Sequence, residues 1–107
     1  ALIADYDKDQ LIQLFGDMNF QKFTKRTITT VAKLAEECLV TRKCGFAVDD
    51  EEHHEGVRCI GAPIRDASGQ VVGSVGISAP VARLPREMLK RMGAKVASIA
   101  TAIGRKL

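Results

Sequence analysis

Two runs of small and aliphatic residues, 57–65 (VRCIGAPIR) and 71–78 (VVGSVGIS), flank the tetrapeptide Asp66-Ala67-Ser68-Gly69. No other feature restricts the fold so tightly. An Asp side chain bonds its own backbone in such a turn, and Gly supplies the positive φ. The pattern predicts a β-hairpin, so the sheet is at least partly antiparallel. Alternation puts Cys59, Gly61 and Pro63 on one face and Ile60, Ala62 and Ile64 on the other. Ser74, Gly76 and Ser78 likewise share a face opposite Val75 and Ile77. One face therefore carries a thiol, hydroxyls and bare backbone, while the other is aliphatic. Glycine inside a strand often marks the close approach of a ligand or another backbone. Taken alone, this chemistry favours tight helix packing over a ligand floor.

Helical spacing surrounds the hairpin. Residues 5–16 predict a short helix capped by Asp5 or Asp7, with Leu11, Leu14 and Phe15 on one face and Gly16 at its end. Residues 17–29 predict a polar connection, with room for a short extended piece. Residues 30–43 predict a second helix, capped by Thr29 or Thr30. Its apolar stripe is Val31, Leu34, Ala35, Cys38 and Leu39, and Gly45 marks its stop. A short strand is expected at 45–49 and a charged loop at 49–56. Residues 85–107 predict a long helix with Pro85 at its first position. Leu89, Met92, Val96, Ile99 and Ile103 form its stripe, facing the sheet or a partner helix. The basic residues between them form a solvated face.

At 107 residues the chain suits one domain with one core. Its net charge of +3, from 16 basic and 13 acidic residues, is too small for a DNA-contacting footprint. The three cysteines, Cys38, Cys44 and Cys59, are odd in number and lack a CxxC pair. That argues against a disulfide framework or zinc finger and suits a reducing, cytoplasmic setting. No apolar run approaches a membrane span. The first residue is Ala1 rather than Met, so the chain is read as a piece of a longer protein.

The segment 49–55 (DDEEHHE) offers oxygen and nitrogen ligands, but it lacks EF-hand and HExxH spacing. A solvated acidic loop is the simpler reading, with Asp49, at a strand end, able to point under the sheet. Cys59 with His53 or His54 offers a nucleophile and a base, but proximity in sequence does not establish that geometry. Buried cysteine is the commoner case.

The run from Gly45 to Glu87, GFAVDDEEHHEGVRCIGAPIRDASGQVVGSVGISAPVARLPRE, resembles the effector-binding domain of the IclR family, the isocitrate-lyase-regulator type of bacterial transcription factor. Four ordered blocks carry the resemblance. They are Gly-aromatic-Ala-x-Asp-x-Glu-Glu, Gly-Val-Arg-Cys-Ile, Ala-Pro-Ile-x-Asp-x-x-Gly and Ile-Ser-x-Pro-x-x-Arg-Leu. The flanking helices fit too, so it covers essentially the whole chain.

The resemblance implies a GAF-like α/β (α+β) fold, with an antiparallel sheet flanked by helices and truncated at its N-terminal side. Residues 1–107 would be the C-terminal portion of the effector domain, and residues 1–4 the tail of a preceding helix. The small-residue face becomes a floor for a small effector, often a carboxylate. Carried over position by position, the polar residues of the pocket are Asp49, Cys59 and Ser78. Gly76 stands where the family often has a second serine, which removes a hydroxyl and leaves backbone N–H groups. The implied partners are the effector, further copies in a dimer or tetramer, and DNA through an upstream winged helix-turn-helix domain. No cofactor, resident metal, catalytic residue or membrane contact is implied. The rivals are a GAF-like sensor with another output, a thiol enzyme using Cys59, and a metal sensor using Asp49, His53 or His54.

Overall fold

The structure, a computed structural model, describes residues 1–16 and 20–107. Residues 17–19, part of the expected connection, lie outside the described residues. The first helix, α1 (Lys8–Phe15), starts at Asp7, not Asp5. Asp7 accepts from the Gln10 backbone at 2.8 Å, and the Gln10 side chain accepts from the Asp7 backbone at 2.9 Å. This reciprocal box satisfies two N–H groups that the first turn leaves free. Leu11 is fully buried, but Leu14, expected on the same face, is 55% exposed. The second helix, α2 (Val31–Cys44), is capped by Thr30 and ends at Gly45, whose φ of 88° is left-handed. Val31, Cys38 and Thr41 face inward, whereas Leu39 of the expected stripe lies outside.

Three antiparallel strands, β1 (Ala47–Asp50), β2 (Val57–Arg65) and β3 (Val71–Pro80), form a sheet in the order β1-β2-β3. β1 begins later than expected because Gly45 still serves the helix cap. β3 continues past Ser78, because Ala79 and Pro80 pair with Arg58 and Val57. Pro80 is tolerated at the strand's end, where no ladder bond requires its N–H. In the turn, Asp66 accepts from the backbones of Ser68 (2.9 Å) and Gln70 (3.1 Å), with Gly69 at φ 85°.

The last helix, α3 (Arg86–Gly104), covers the aliphatic sheet face. Pro85 is its extended N-cap rather than its first helical residue, and 105–107 form a turn whose N–H groups bond back to the Thr101, Ile103 and Gly104 carbonyls. Its inner stripe also differs from expectation. Gly93, Val96, Ala100 and Gly104 are buried, while Ile99 is 53% and Ile103 36% exposed. Small residues let the helix approach closely. A Cβ at Gly93 would lie 2.4 Å from the Phe46 ring, and one at Gly104 2.3 Å from the Arg65 carbonyl oxygen. The main core joins Ile60, Ala62, Leu84, Val96 and Ala100, and a second joins Leu11, Val31 and Cys38. No helix among the described residues is long and apolar enough to cross a membrane.

Candidate effector-binding site

The strand register brings the expected polar residues onto one sheet face. Asp49 pairs with Cys59, and Cys59 with Ser78, so their side chains form a row across β1, β2 and β3. The Cys59 Sγ and Ser78 Oγ are 3.2 Å apart, within hydrogen-bond reach. The next row on that face is Ala47, Gly61 and Gly76. A Cβ at Gly76 would lie 2.5 Å from the Ile60 carbonyl oxygen. Close backbone approach therefore accounts for a glycine here, and any side chain would require the strands to shift.

A cleft of about 340 Å³ lies between this face and α2. Asp49, Cys59 and Gly61 line its floor, Leu34, Glu37 and Cys38 its helix wall, and Ala1, Ile3 and Ala4 one end. Ser78 and Gly76 do not line it; they lie beyond Cys59 and Gly61 on exposed β3. A larger cleft of about 490 Å³ opens between the end of α3 and the β2–β3 turn, with Arg42, Arg65 and Arg105 at its rim. It contains none of the four expected residues. Two of its guanidiniums are already engaged, Arg65 with Asp5 and Arg42 with the Ala4 and Tyr6 carbonyls. The smaller cleft is therefore the better candidate.

A hydrogen-bonded loop fixes the acidic lip of this cleft. Asp49 Oδ1 accepts from the Glu52 backbone at 2.8 Å, and Glu52 Oε2 accepts from the Asp50 backbone at 3.0 Å. The hydroxyls of Thr24 and Thr27 donate to the carbonyls of Glu51 and Glu52, tying the 20–29 connection to the lip. Burial raises the Glu52 carboxyl above the usual range, and the nearby carboxylates of Asp49, Glu37 and Asp50 add to the rise.

Behind the lip lies a residue that sequence reasoning missed. Arg58 is only 5% exposed, and its Nε donates to Asp50 Oδ1 at 2.8 Å. Its Nη1 donates to the Leu84 carbonyl at 2.8 Å, which joins the sheet to the start of α3. Arg26 and Arg86 also reach Asp50, at 3.2 and 3.1 Å. Burial alone would raise the Asp50 carboxyl, but the Arg58 hydrogen bond and the three guanidiniums hold it below its ordinary value. The signal was present in the sequence, because alternation puts Arg58 on the same face as Ile60 and Ala62.

The imidazoles do not join this site. His53 packs edge-on against Phe23 and His54, with ring centres 4.7 and 4.3 Å apart, and both histidines are exposed. Cys59 instead meets Ser78. Among the described residues, no three His, Cys, Asp or Glu side chains are grouped to hold a metal ion.

Comparison with known proteins agrees with the fold. The family described as bacterial transcriptional regulator IclR C-terminal matches residues 1–105. The HTH-type transcriptional regulator BhcR of Paracoccus denitrificans is 35% identical over 92 residues, covering 86% of this chain and 33% of that protein. The crystal structure of the repressor BlcR of Agrobacterium tumefaciens superposes with a TM-score of 0.90 at 33% identity, covering 99% of this chain and 42% of that one. The C-terminal domain of the Escherichia coli regulator KdgR gives 0.83 at 33% identity, covering 96% and 63%. The chain thus spans about a third to two fifths of the length of the curated relatives it matches.

Proposed function

The chain belongs to the IclR C-terminal family of bacterial transcriptional regulators, and we propose that it is the C-terminal portion of a sensor domain binding a small organic effector between the sheet and α2. The observation that carries this reading is the row Asp49–Cys59–Ser78 on the sheet face, two members of which floor the cleft. Asp49 would accept from a hydroxyl of the effector, and Ser78 and the strand backbone near Gly76 would donate to its acidic group. No catalysis is assigned, because the relatives are named as transcription regulators.

The whole protein would bind DNA through an upstream winged helix-turn-helix domain and act in the cytoplasm. An effector that favours one subunit arrangement would shift the DNA-binding equilibrium, by coupling of about 1–3 kcal/mol. Assembly as a dimer or tetramer suits the exposed Ile99 and Ile103 on the outer side of α3.

The test is calorimetry on the full-length protein with a panel of short hydroxy, keto and dicarboxylic acids, repeated with Asp49→Ala and Ser78→Ala. The expected result is an acid whose affinity drops about tenfold or more in each variant, the loss of about 1.4 kcal/mol typical of a hydrogen bond to a charged group. An acid that binds the wild type and both variants equally would remove these residues from the site.

A further inference from the structure

The cleft beneath the sheet is acidic on several sides. Glu37 enters from α2, Asp49 from β1 and Glu52 from the loop, and all three line it. No Lys or Arg side chain lines it among the described residues. Its one cation is the α-amino group of Ala1, a peptide nitrogen in the full-length regulator proposed above.

Nearby guanidiniums are engaged elsewhere. Arg58 and Arg86 pair with Asp50, and Arg26 with Asp50 and Glu51. Lys33 borders a neighbouring groove with Glu37 and Glu52, but pairs with Glu36. None of Glu37, Asp49 and Glu52 has an ion-pair partner among the described residues. A carboxylate placed against this lip would lose water and meet like charge. A hydroxyl or ammonium would meet acceptors already in place.

We propose that this end of the cleft is a specificity filter. It admits an effector group that donates hydrogen bonds, a hydroxyl or an ammonium, to Asp49 and Glu52, and it excludes a carboxylate. An acid effector then enters with its carboxylate directed away, toward the Ser78 edge. The filter rests on the sensor reading above and adds the ligand's polarity and direction. Glu37 and Glu52 become selectivity determinants beside the residues inferred from the family resemblance.

Cys59 lies on the floor of the cleft and serves as a probe of its field. On the full-length protein, Cys59 is modified with cationic trimethylammonioethyl and anionic sulfonatoethyl methanethiosulfonate. Rates are resolved by peptide mass spectrometry and referred to the same thiol in the urea-unfolded chain. The cationic reagent is expected to gain at least about tenfold over the anionic one on folding. Glu37→Gln and Glu52→Gln should each reduce that gain severalfold. A ratio unchanged by folding, or unmoved by both variants, overturns the proposal.

The second arm compares 6-aminohexanoate, 6-hydroxyhexanoate, hexanoate and adipate by calorimetry. The amino and hydroxy acids should bind more tightly than hexanoate, and adipate most weakly, with Glu52→Gln narrowing the gap. Adipate binding as well as the hydroxy acid overturns the filter. An acid that loses affinity in Asp49→Ala but is indifferent to Glu52→Gln and Glu37→Gln leaves the sensor standing and sinks the filter alone. Conversely, a tenfold reagent ratio with effector binding unmoved by Asp49→Ala keeps the acidic field and sinks the sensor site.

Discussion

Arg58→Ala should be among the most damaging single changes in this chain. Arg58 is 5% exposed, and its guanidinium holds both Asp50 and the Leu84 carbonyl, each at 2.8 Å. Breaking a buried pair from one side typically costs about 3–5 kcal/mol. Asp50 is 29% exposed and keeps Arg26 and Arg86, so the low end applies, about 3 kcal/mol. Arg58→Met keeps much of the stem packing and should cost less.

Cys38, 5% exposed in the second core, gives a reporter for this domain. Its labelling across a urea series follows unfolding of this domain alone. Asp50→Asn should cost clearly less in the Arg58→Met background than in the wild type, because the pair is already broken.

The pH dependence has a defined sign. The folded Asp50 carboxyl is depressed, so its contribution is full above its unfolded value of about 3.9 and is lost as pH falls through the lower folded value. Without Arg58 that acid-side loss should shrink. A cost below about 1 kcal/mol for Arg58→Ala, or equal Asp50→Asn costs in both backgrounds, would refute the role assigned to the pair.

Three further outcomes follow from the packing. Asp7→Ala removes the Asp7 side-chain acceptor of the Gln10 backbone N–H, leaving the backbone half of the capping box, and should cost about 1 kcal/mol in the same labelling assay. Gly104→Ala should destabilise more than Gly93→Ala, because the first meets the Arg65 backbone and the second a Phe46 ring that can turn aside. Both should lie at about 1–3 kcal/mol, and the reverse order would contradict the helix–sheet contact. Glu52→Gln should raise the thermal midpoint at pH 7–8. The folded Glu52 carboxyl is raised by burial and by like charge, so its ionised form is disfavoured above the folded value. That advantage should fade as pH falls and Glu52 itself becomes protonated.

The hairpin was readable in the sequence because its signals are local. Alternation, Asp66 and Gly69 define β2 to the residue and the small-residue face of Cys59 and Ser78, while Asp49 joins that face through the family resemblance and the β1–β2 register. The caps at Asp7 and Thr30 were readable for the same reason. Long-range packing decided the rest. Leucine and isoleucine spacing pointed to Ile99 and Ile103, but the sheet approaches so closely that Gly93, Ala100 and Gly104 occupy the contact. The cleft's far wall is built by Glu37 and Cys38 on α2 and by Ala1, Ile3 and Ala4, which only the tertiary fold brings over β1 and β2. Gly76 first reads as the loss of a family hydroxyl, and only the structure shows the Ile60 carbonyl close against it.

The most direct measurement is a crystal structure of the full-length protein with its bound effector. The account places the effector between α2 and the sheet, with a donor group within about 3.2 Å of Asp49 and its acidic group toward Ser78. An effector seated instead among Arg42, Arg65 and Arg105, at the end of α3, would contradict it.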